Sequence, residues 1–143
     1  MSFEQNVKTI SVVTAADLSA KQFYLGAINS SGLLALASSA GQDIDGVIYD
    51  NGGTSGRVTS LANGGTVQVI LGGTVTAGDK LTTDANGKAV TAAGARVDST
   101  VSSATDPLIG PFVFGKALAS GVSGDIIPVI FDKQGAVPTT VSA

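Results

Sequence analysis

The sequence predicts an all-β protein, built as a compact β-sandwich or a small β-barrel. Short apolar runs rich in valine, isoleucine and threonine recur along the 143-residue chain, and clusters of glycine, asparagine, aspartate and serine separate them. No apolar pattern with helical spacing lasts for about three turns. A β-tulip-like barrel is one form that this pattern allows, with an extended N-terminal arm before it.

The apolar runs are the predicted strands. In chain order they are Ile10–Thr14, Phe23–Ile28, Leu33–Ala37, Asp45–Tyr49, Arg57–Leu61, Thr66–Leu71, Lys80–Thr83, Lys88–Ala92, Phe112–Leu118 and Asp125–Phe131. Pro128 lacks a backbone N–H, so the last run is expected to be an edge strand or to carry a bulge there. Two segments allow a short helix: "TAADLSAKQ", where Thr14 is a weak N-cap, or "SSAGQD".

The chain length suits one domain, which we place at residues 10–133. Residues 1–9 form the predicted arm, which is polar apart from Phe3 and Val7, and residues 134–143 form an uncharged tail. Residues 93–110 are rich in serine and threonine and predict a long loop or crossover. Loops of that length are functional or simply mobile.

The composition excludes several classes of function. Net charge is −3 and no lysine or arginine cluster is present, so nothing indicates nucleic-acid binding. Cysteine, histidine and tryptophan are absent, which removes thiolate chemistry, the usual general base and a tryptophan-based sugar platform. No signal peptide and no apolar run of about 20 residues is found. We therefore expect a soluble, non-enzymatic protein without a cofactor, made in the cytoplasm.

The segment "GDKLTTDANGKAV" raises the question of a calcium loop. A loop of the EF-hand type needs an oxygen ligand at position five and a glycine at position six. Counting from Asp84, these positions hold Lys88 and Ala89, so we expect no metal here. The pair Asn86 and Gly87 instead predicts a type I′ hairpin turn, with Asp84 accepting hydrogen bonds from turn amides.

A second acidic group, Asp43, Asp45 and Asp50, suits either a hard cation or solvent-facing turn caps. Turn caps are the favoured interpretation because no histidine or glutamate lies nearby. The glycine-rich stretch "NGGTSGR" lacks the Gly-Lys-Ser/Thr ending of a phosphate-binding loop and is expected to be a flexible loop. The sequence therefore predicts no catalytic site.

The order of the segments resembles that of the capsid cement, or head decoration, proteins of tailed bacteriophages. The stretch "AGDKL" followed by Asp84, Gly87 and Lys88 matches one motif of that family. The stretches "GKAL" at 115–118 and "GDIIPV" at 124–129 match its C-terminal motif. The resemblance covers residues 44–131.

This resemblance implies a non-enzymatic protein on the capsid exterior of the virion. Such proteins bind the major capsid protein lattice and stabilise the expanded head, commonly as homotrimers, without nucleic acid or membrane. It makes Phe3 and Val7 candidates for capsid contact and Phe112, Phe114 and Phe131 candidates for the trimer interface. Ordinary core packing is the alternative for these three phenylalanines. The competing functions are a phage tail or fibre surface module and a carbohydrate-binding adhesive β-sandwich.

Overall fold

The computed structural model describes residues 7–50, 54–93 and 109–138, and within them it contains a curled antiparallel sheet of nine strands and no helix. This confirms the predicted all-β fold class. The strands are β1 Val7–Val13, β2 Leu25–Ile28, β3 Leu34–Leu36, β4 Gly46–Ile48, β5 Val58–Ile70, β6 Lys80–Thr83, β7 Ala89–Thr91, β8 Ile109–Ala117 and β9 Ile126–Pro138.

The strands follow the order β3-β2-β4-β5-β9-β8-β6-β7, and β1 pairs with β5 beside this path. We call β1 to β4 with residues 58–62 of β5 the N-terminal half. Residues 65–70 of β5 with β6 to β9 form the C-terminal half. β5 thus belongs to both halves, because it pairs with β1 and β4 near its start and with β9 near its end.

β5 is one strand of 13 residues where the sequence predicts two. The stretch "ANGG" was expected to separate them, but strands pair with β5 on both sides of it. Thr9 pairs with Ala62 and Lys8 with Gly64, so Asn63 has no partner in β1 and forms a β-bulge. Gly65 follows with φ 76°, which only glycine adopts readily. The bulge bends β5 between the two halves.

Each half of the sheet is strongly curved. In the N-terminal half β3 approaches the end of β1, and in the C-terminal half β7 approaches the end of β5. In the N-terminal half, Ala15 N–H donates to Leu34 O at 2.8 Å, just beyond the end of β1. In the C-terminal half, Gly72 N–H donates to Ala89 O at 2.9 Å, just beyond the end of β5. The sheet is therefore curved enough to enclose apolar side chains on its concave sides.

Two clusters of buried side chains fill these concave sides. The smaller cluster lies in the N-terminal half and contains Leu18, Leu34, Ile48 and Leu61. The larger cluster is centred on the C-terminal half and includes Phe114, Phe131, Val67, Val69 and Val129. Alternation along β5 places Val67 and Val69 in the core, and Leu71 just beyond the strand continues the pattern, as the period-2 pattern of "TVQVIL" predicts.

Pro128 lies in an internal strand, so the edge-strand prediction is wrong. β9 is flanked by β5 and β8, and Pro128 pairs with Gln68 of β5. The carbonyl of Pro128 accepts from Leu118 N–H at 3.0 Å, so its nitrogen also faces the β8 side. Leu118 is the first residue after β8, so the missing donor falls where that pairing ends.

The segment "TAADLSAKQ" does not form a helix. Thr14 N–H donates to Arg57 O at 2.9 Å, and Ser19 N–H donates to the Asp17 carboxylate at 3.0 Å. These bonds hold the segment in turns. β1 includes residues 7–9 of the predicted arm, and β9 includes residues 134–138 of the predicted tail.

Candidate interaction surfaces

The segment "GDKLTTDANGKAV", which was compared with a calcium loop above, forms the β6–β7 hairpin. Asp84 Oδ1 accepts from Asn86 N–H at 2.8 Å and from Lys88 N–H at 2.9 Å. Gly87 has φ 78°, whereas Asn86 does not share its positive φ. The turn therefore differs from the predicted type I′ and matches a longer loop with glycine at its left-handed position. The Asp84 carboxylate satisfies backbone amides here, as a turn residue.

The tip of this hairpin connects the two halves of the sheet. Leu25 N–H of β2 donates to Gly87 O at 2.7 Å. A Cβ at Gly87 would lie 2.6 Å from Leu36 Cδ1 and 3.2 Å from Leu25 O. Glycine is thus required for its conformation and for the close approach of the tip to β2 and β3.

The second acidic group divides into two arrangements. Lys133 Nζ lies 3.1 Å from Asp43 Oδ1 and 3.5 Å from Asp45 Oδ1. The other oxygen of Asp45 accepts from Ile28 N–H at 2.7 Å. Asp50 accepts hydrogen bonds from Thr59 and from Ser60 N–H. These carboxylates bind an ammonium group and backbone amides.

The predicted contact residues lie in different environments. Phe114 and Phe131 belong to the larger core cluster, with ring centroids 6.0 Å apart, so their side chains are buried within the single chain. Phe112 is half-buried and lines a shallow cleft with Pro111 and the loop at 39–42. Val7 is half-buried at the start of β1 and packs against the larger cluster. Phe3 lies outside the described residues.

The C-terminal half carries apolar residues on its outer surface as well. Along β9, Ile127 and Val129 face the core, whereas Ile126 and Ile130 face outward and are 50% and 43% exposed. Their partners in β5 are Ile70 and Thr66. We call this surface the outer isoleucine face. It consists of Gln68, Ile70, Leu118, Ile126, Pro128 and Ile130.

This face is not among the surfaces predicted from the sequence, although the sequence contains a pattern that indicates it. The run "DIIPVIF" is apolar at consecutive positions, a pattern typical of a strand that is covered on both faces. One face lies in the core and the other is exposed in this chain. Lys116, which pairs with Ile130, and Lys80, which pairs with Lys116, border the face at one end. Asp125 precedes Ile126 at the other end. The surface therefore suits contact with a protein whose facing surface is apolar and whose border carries charges of both signs.

The described ranges contain no group of three or more histidine, cysteine, aspartate or glutamate side chains with the geometry of a metal site. Nor do they contain a helix of the length and hydropathy needed to cross a membrane.

Comparison with known proteins shows a likeness in fold. No protein-family model matches the sequence, and no curated protein sequence does. The chain is similar to the crystal structure of the head fibre gp8.5 N base of bacteriophage phi29, with a TM-score of 0.62. The match covers 92% of this chain and 98% of that chain at 18% sequence identity. The two chains therefore share an all-β architecture over nearly their whole length.

Proposed function

We propose that this protein is a non-enzymatic component of a bacteriophage virion that decorates the exterior of the head. In this role it binds the major capsid protein lattice as a homotrimer and stabilises the expanded shell. The motifs at residues 77–88 and 115–129 support this proposal through their resemblance to the cement proteins. The fold similarity to a phage head fibre base adds support from an independent source.

The outer isoleucine face is the observation that carries the proposal. A contiguous row of exposed apolar side chains on a rigid sheet is a feature of protein–protein contact surfaces. Ile126 and Ile130 each expose about half of their surface, and they lie on a strand that is held between two others. The face is therefore rigid before binding, which lowers the entropy cost of association. A structural protein of a shell needs this property and needs no catalytic group.

A second candidate function is the base of a head fibre. The fold similarity favours it specifically, because the matched structure is itself described as a head fibre base. In this role the chain would attach to the head and anchor a projecting structure. Both functions place the protein on the head. They differ in whether the protein covers the lattice or occupies a few attachment points.

Binding to isolated heads tests the proposal. Expanded heads of the source phage that lack this protein are mixed with increasing amounts of purified protein and sedimented. We expect saturable binding at a stoichiometry comparable to that of the coat protein, and release of DNA at a higher temperature from decorated heads. Tails from the same phage serve as the control and are expected to bind none.

Other outcomes separate the candidates. Saturation at a few copies per head without a change in the DNA-release temperature would favour the fibre-base function. Binding to tails and not to heads would contradict both head functions and favour a tail module.

A further inference from the structure

β1 has an edge that no other strand in the described part of the chain covers. It pairs with β5 along one edge. Its other edge contacts the sheet only through the bond from Ala15 N–H to Leu34 O, beyond the strand's C-terminal end. An unpaired strand edge is a template for a strand from another chain.

The register of β1 identifies which backbone groups face this open edge. Thr14 N–H donates to Arg57 O, and so it faces β5. Backbone groups of successive strand residues point to opposite edges. Ile10 and Val12 therefore also face β5, whereas Thr9 and Ser11 direct their N–H and C=O groups to the open edge. Both residues are exposed.

The open edge lacks the features by which proteins usually protect such edges. β1 has 7 residues, whereas the terminal strands β3 and β7 have 3 residues each. β1 contains no proline, and Lys8 is its single charged residue. Short strands, prolines and several charges are the common protections against added strands. β1 is therefore a longer and less protected edge than the terminal strands β3 and β7.

A pocket of about 490 Å³ lies between Ile10 of β1 and residues 131–133 of β9, where the two halves of the sheet meet. Ile10 and Ile28 line it, and their side chains are 42% and 36% exposed. Their partners in the neighbouring strands, Leu61 for Ile10 and Leu34 for Ile28, are fully buried. Residues paired across a sheet share a face, so both isoleucines point to the core side. A strand added to β1 would direct alternate side chains to this pocket and cover both isoleucines.

Polar groups in the pocket indicate the chemistry of the added segment. Asn63 Oδ1, at the β-bulge, is buried and has no hydrogen-bond partner. Asp45, Asp132 and Lys133 also line the pocket, and Asp43 pairs with Lys133. These carboxylates outnumber the ammonium groups of Lys133 and nearby Lys8. The pocket therefore favours a hydrogen-bond donor and a positive charge over an acidic group.

We propose that β1 binds an extended segment of a partner protein as an additional strand. The segment places an apolar side chain against Ile10 and Ile28 and a basic side chain near Asp45 and Asp132. The partner is the coat protein under the function proposed above, and that part of the inference rests on it. The recognition chemistry itself is tested with peptides and is independent of the source of the segment.

The variant Ser11→Pro tests the added strand directly. It removes an N–H that faces the open edge and leaves every N–H that donates to β5 in place. Ser11→Thr is the matched control. The probe is a blocked peptide of alternating threonine and valine with one arginine on its valine face, and a twin peptide carries glutamate instead. Binding is followed in the full chain by the NMR shift of the Thr9 amide and, in every protein except Ser11→Pro, by the shift of the Ser11 amide.

We expect the basic peptide to shift both amides, and the glutamate twin to bind about tenfold more weakly. Ser11→Pro should weaken binding of the basic peptide by about tenfold or more, and Ser11→Thr should not. Ile28→Lys provides a second variant that leaves the backbone untouched, with Val58→Lys as its exposed control. It should also weaken binding of the basic peptide. The absence of shifts at Thr9 and Ser11, or equal binding by Ser11→Pro, would overturn the proposal.

Hydrogen exchange of the free protein distinguishes other occupants of the edge. We expect slow exchange at Ile10 and Val12 and fast exchange at Thr9 and Ser11. Slow exchange at Thr9 and Ser11 that is lost on removing residues 1–6 would show that the chain covers its own edge. Slow exchange that depends on protein concentration would show that a second copy covers it. Either result would overturn the proposal.

Head binding separates this inference from the proposed function. If heads bind the wild-type protein and Ser11→Pro equally, the coat protein does not use β1, and head decoration still stands. If heads bind neither protein, the proposed function fails, and the peptide measurements alone decide the role of the edge.

Discussion

The two halves of the sheet differ in the apolar residues that their concave sides leave exposed. The C-terminal half has a well-filled concave core around Phe114 and exposes isoleucines on its outer surface. The N-terminal half has a smaller core and leaves Ile10 and Ile28 exposed on its concave side. The flanking strands differ as well: at Val129–Phe131, β9 is paired with both β5 and β8, whereas β1 is paired only with β5 among the described strands. A covered strand offers only its outer face to a partner, while an open strand also offers its backbone.

The halves should differ most in how far a core substitution lowers the free energy of unfolding. Phe114 is 1% exposed and contacts Phe131, so Phe114→Ala removes a large side chain from the main core. We expect a loss of about 3–5 kcal/mol in the free energy of unfolding. Leu34→Ala, in the smaller cluster, should cost less, at the lower end of about 2–5 kcal/mol. Urea unfolding followed by circular dichroism measures both values.

The same variants test the predicted interface role of Phe114. The dependence of the unfolding midpoint on protein concentration should be the same in the wild-type protein and in Phe114→Ala, because the side chain lies within one chain. A midpoint for the wild-type protein that rises with concentration, and loses this dependence in Phe114→Ala, would support the interface and contradict the core assignment.

The contact between the halves should be sensitive to a single methyl group. Gly87→Ala places a Cβ against Leu36 and also forces alanine into a positive φ, so we expect a loss of about 2 kcal/mol or more. Gly32 has nearly the same φ, 77°, but no heavy atom within 4 Å of an added Cβ. Gly32→Ala should therefore cost only the conformational strain of about 1 kcal/mol. Equal thermal stability of the two variants would mean that the hairpin tip does not hold the halves together.

The outer isoleucine face should affect binding more than folding. Ile126→Asp and Ile130→Asp should each weaken binding to heads by about tenfold, equivalent to about 1.4 kcal/mol. The free energy of unfolding should fall by about 1 kcal/mol, because half of each side chain is exposed and aspartate is unfavourable in a strand. Val58→Asp, at a position 65% exposed in the N-terminal half, is the control and should bind normally. Normal binding by the β9 variants in quantitative sedimentation would exclude this face from the contact.

The two aspartates that stabilise turns should differ in their effect on stability. Asp84 accepts from two backbone amides in the C-terminal half, and Asp84→Ala should cost about 1–2 kcal/mol. Asp17 is fully exposed in the N-terminal half, and Asp17→Ala should have a smaller effect than Asp84→Ala. Denaturant unfolding of both variants under the same conditions gives the two losses in the free energy of unfolding. Equal losses would contradict the difference in burial between Asp84 and Asp17.

Acid titration should show the contribution of Asp17. Hydrogen bonds from the Ser19 side chain and then from its backbone N–H lower the pKa of Asp17 below its ordinary value of 3.8. Its small contribution to stability is therefore present above that ordinary value and is lost as the pH falls through the lowered pKa. An NMR titration of the carboxyl group gives its pKa directly. A value at or above the ordinary one would show that the Ser19 hydrogen bonds do not form in solution.

The sequence predicted the features that depend on neighbouring residues. Most strands coincide with β-prone runs, and Asp84 with Gly87 indicated the hairpin, because turn chemistry is local. Features that depend on distant strands were missed. "ANGG" resembles a turn in isolation, but pairing with β1, β4 and β9 holds it within β5. The position of Pro128 in an internal strand depends on where β8 ends.

The candidate surfaces were the least predictable part. The sequence marked phenylalanines as contact residues, whereas exposure depends on which face of β8 and β9 turns inward. Phe23 has φ 70°, unusual for a bulky residue, and its backbone bonds both Ile48 and Ile70. No sequence pattern predicts that conformation, since it is imposed by the strands on either side. These features depend on which strands pair with each other, and the pairing is not evident from a single sequence.

The most direct test of head decoration is to locate the protein in particles from the native source. A phage lysate is fractionated by sedimentation into intact virions, separated heads, tails and soluble protein, and each fraction is quantified by mass spectrometry. We predict copies comparable to those of the coat protein on heads and none on tails. Enrichment in tails, or recovery only in the soluble fraction, would contradict the proposed function.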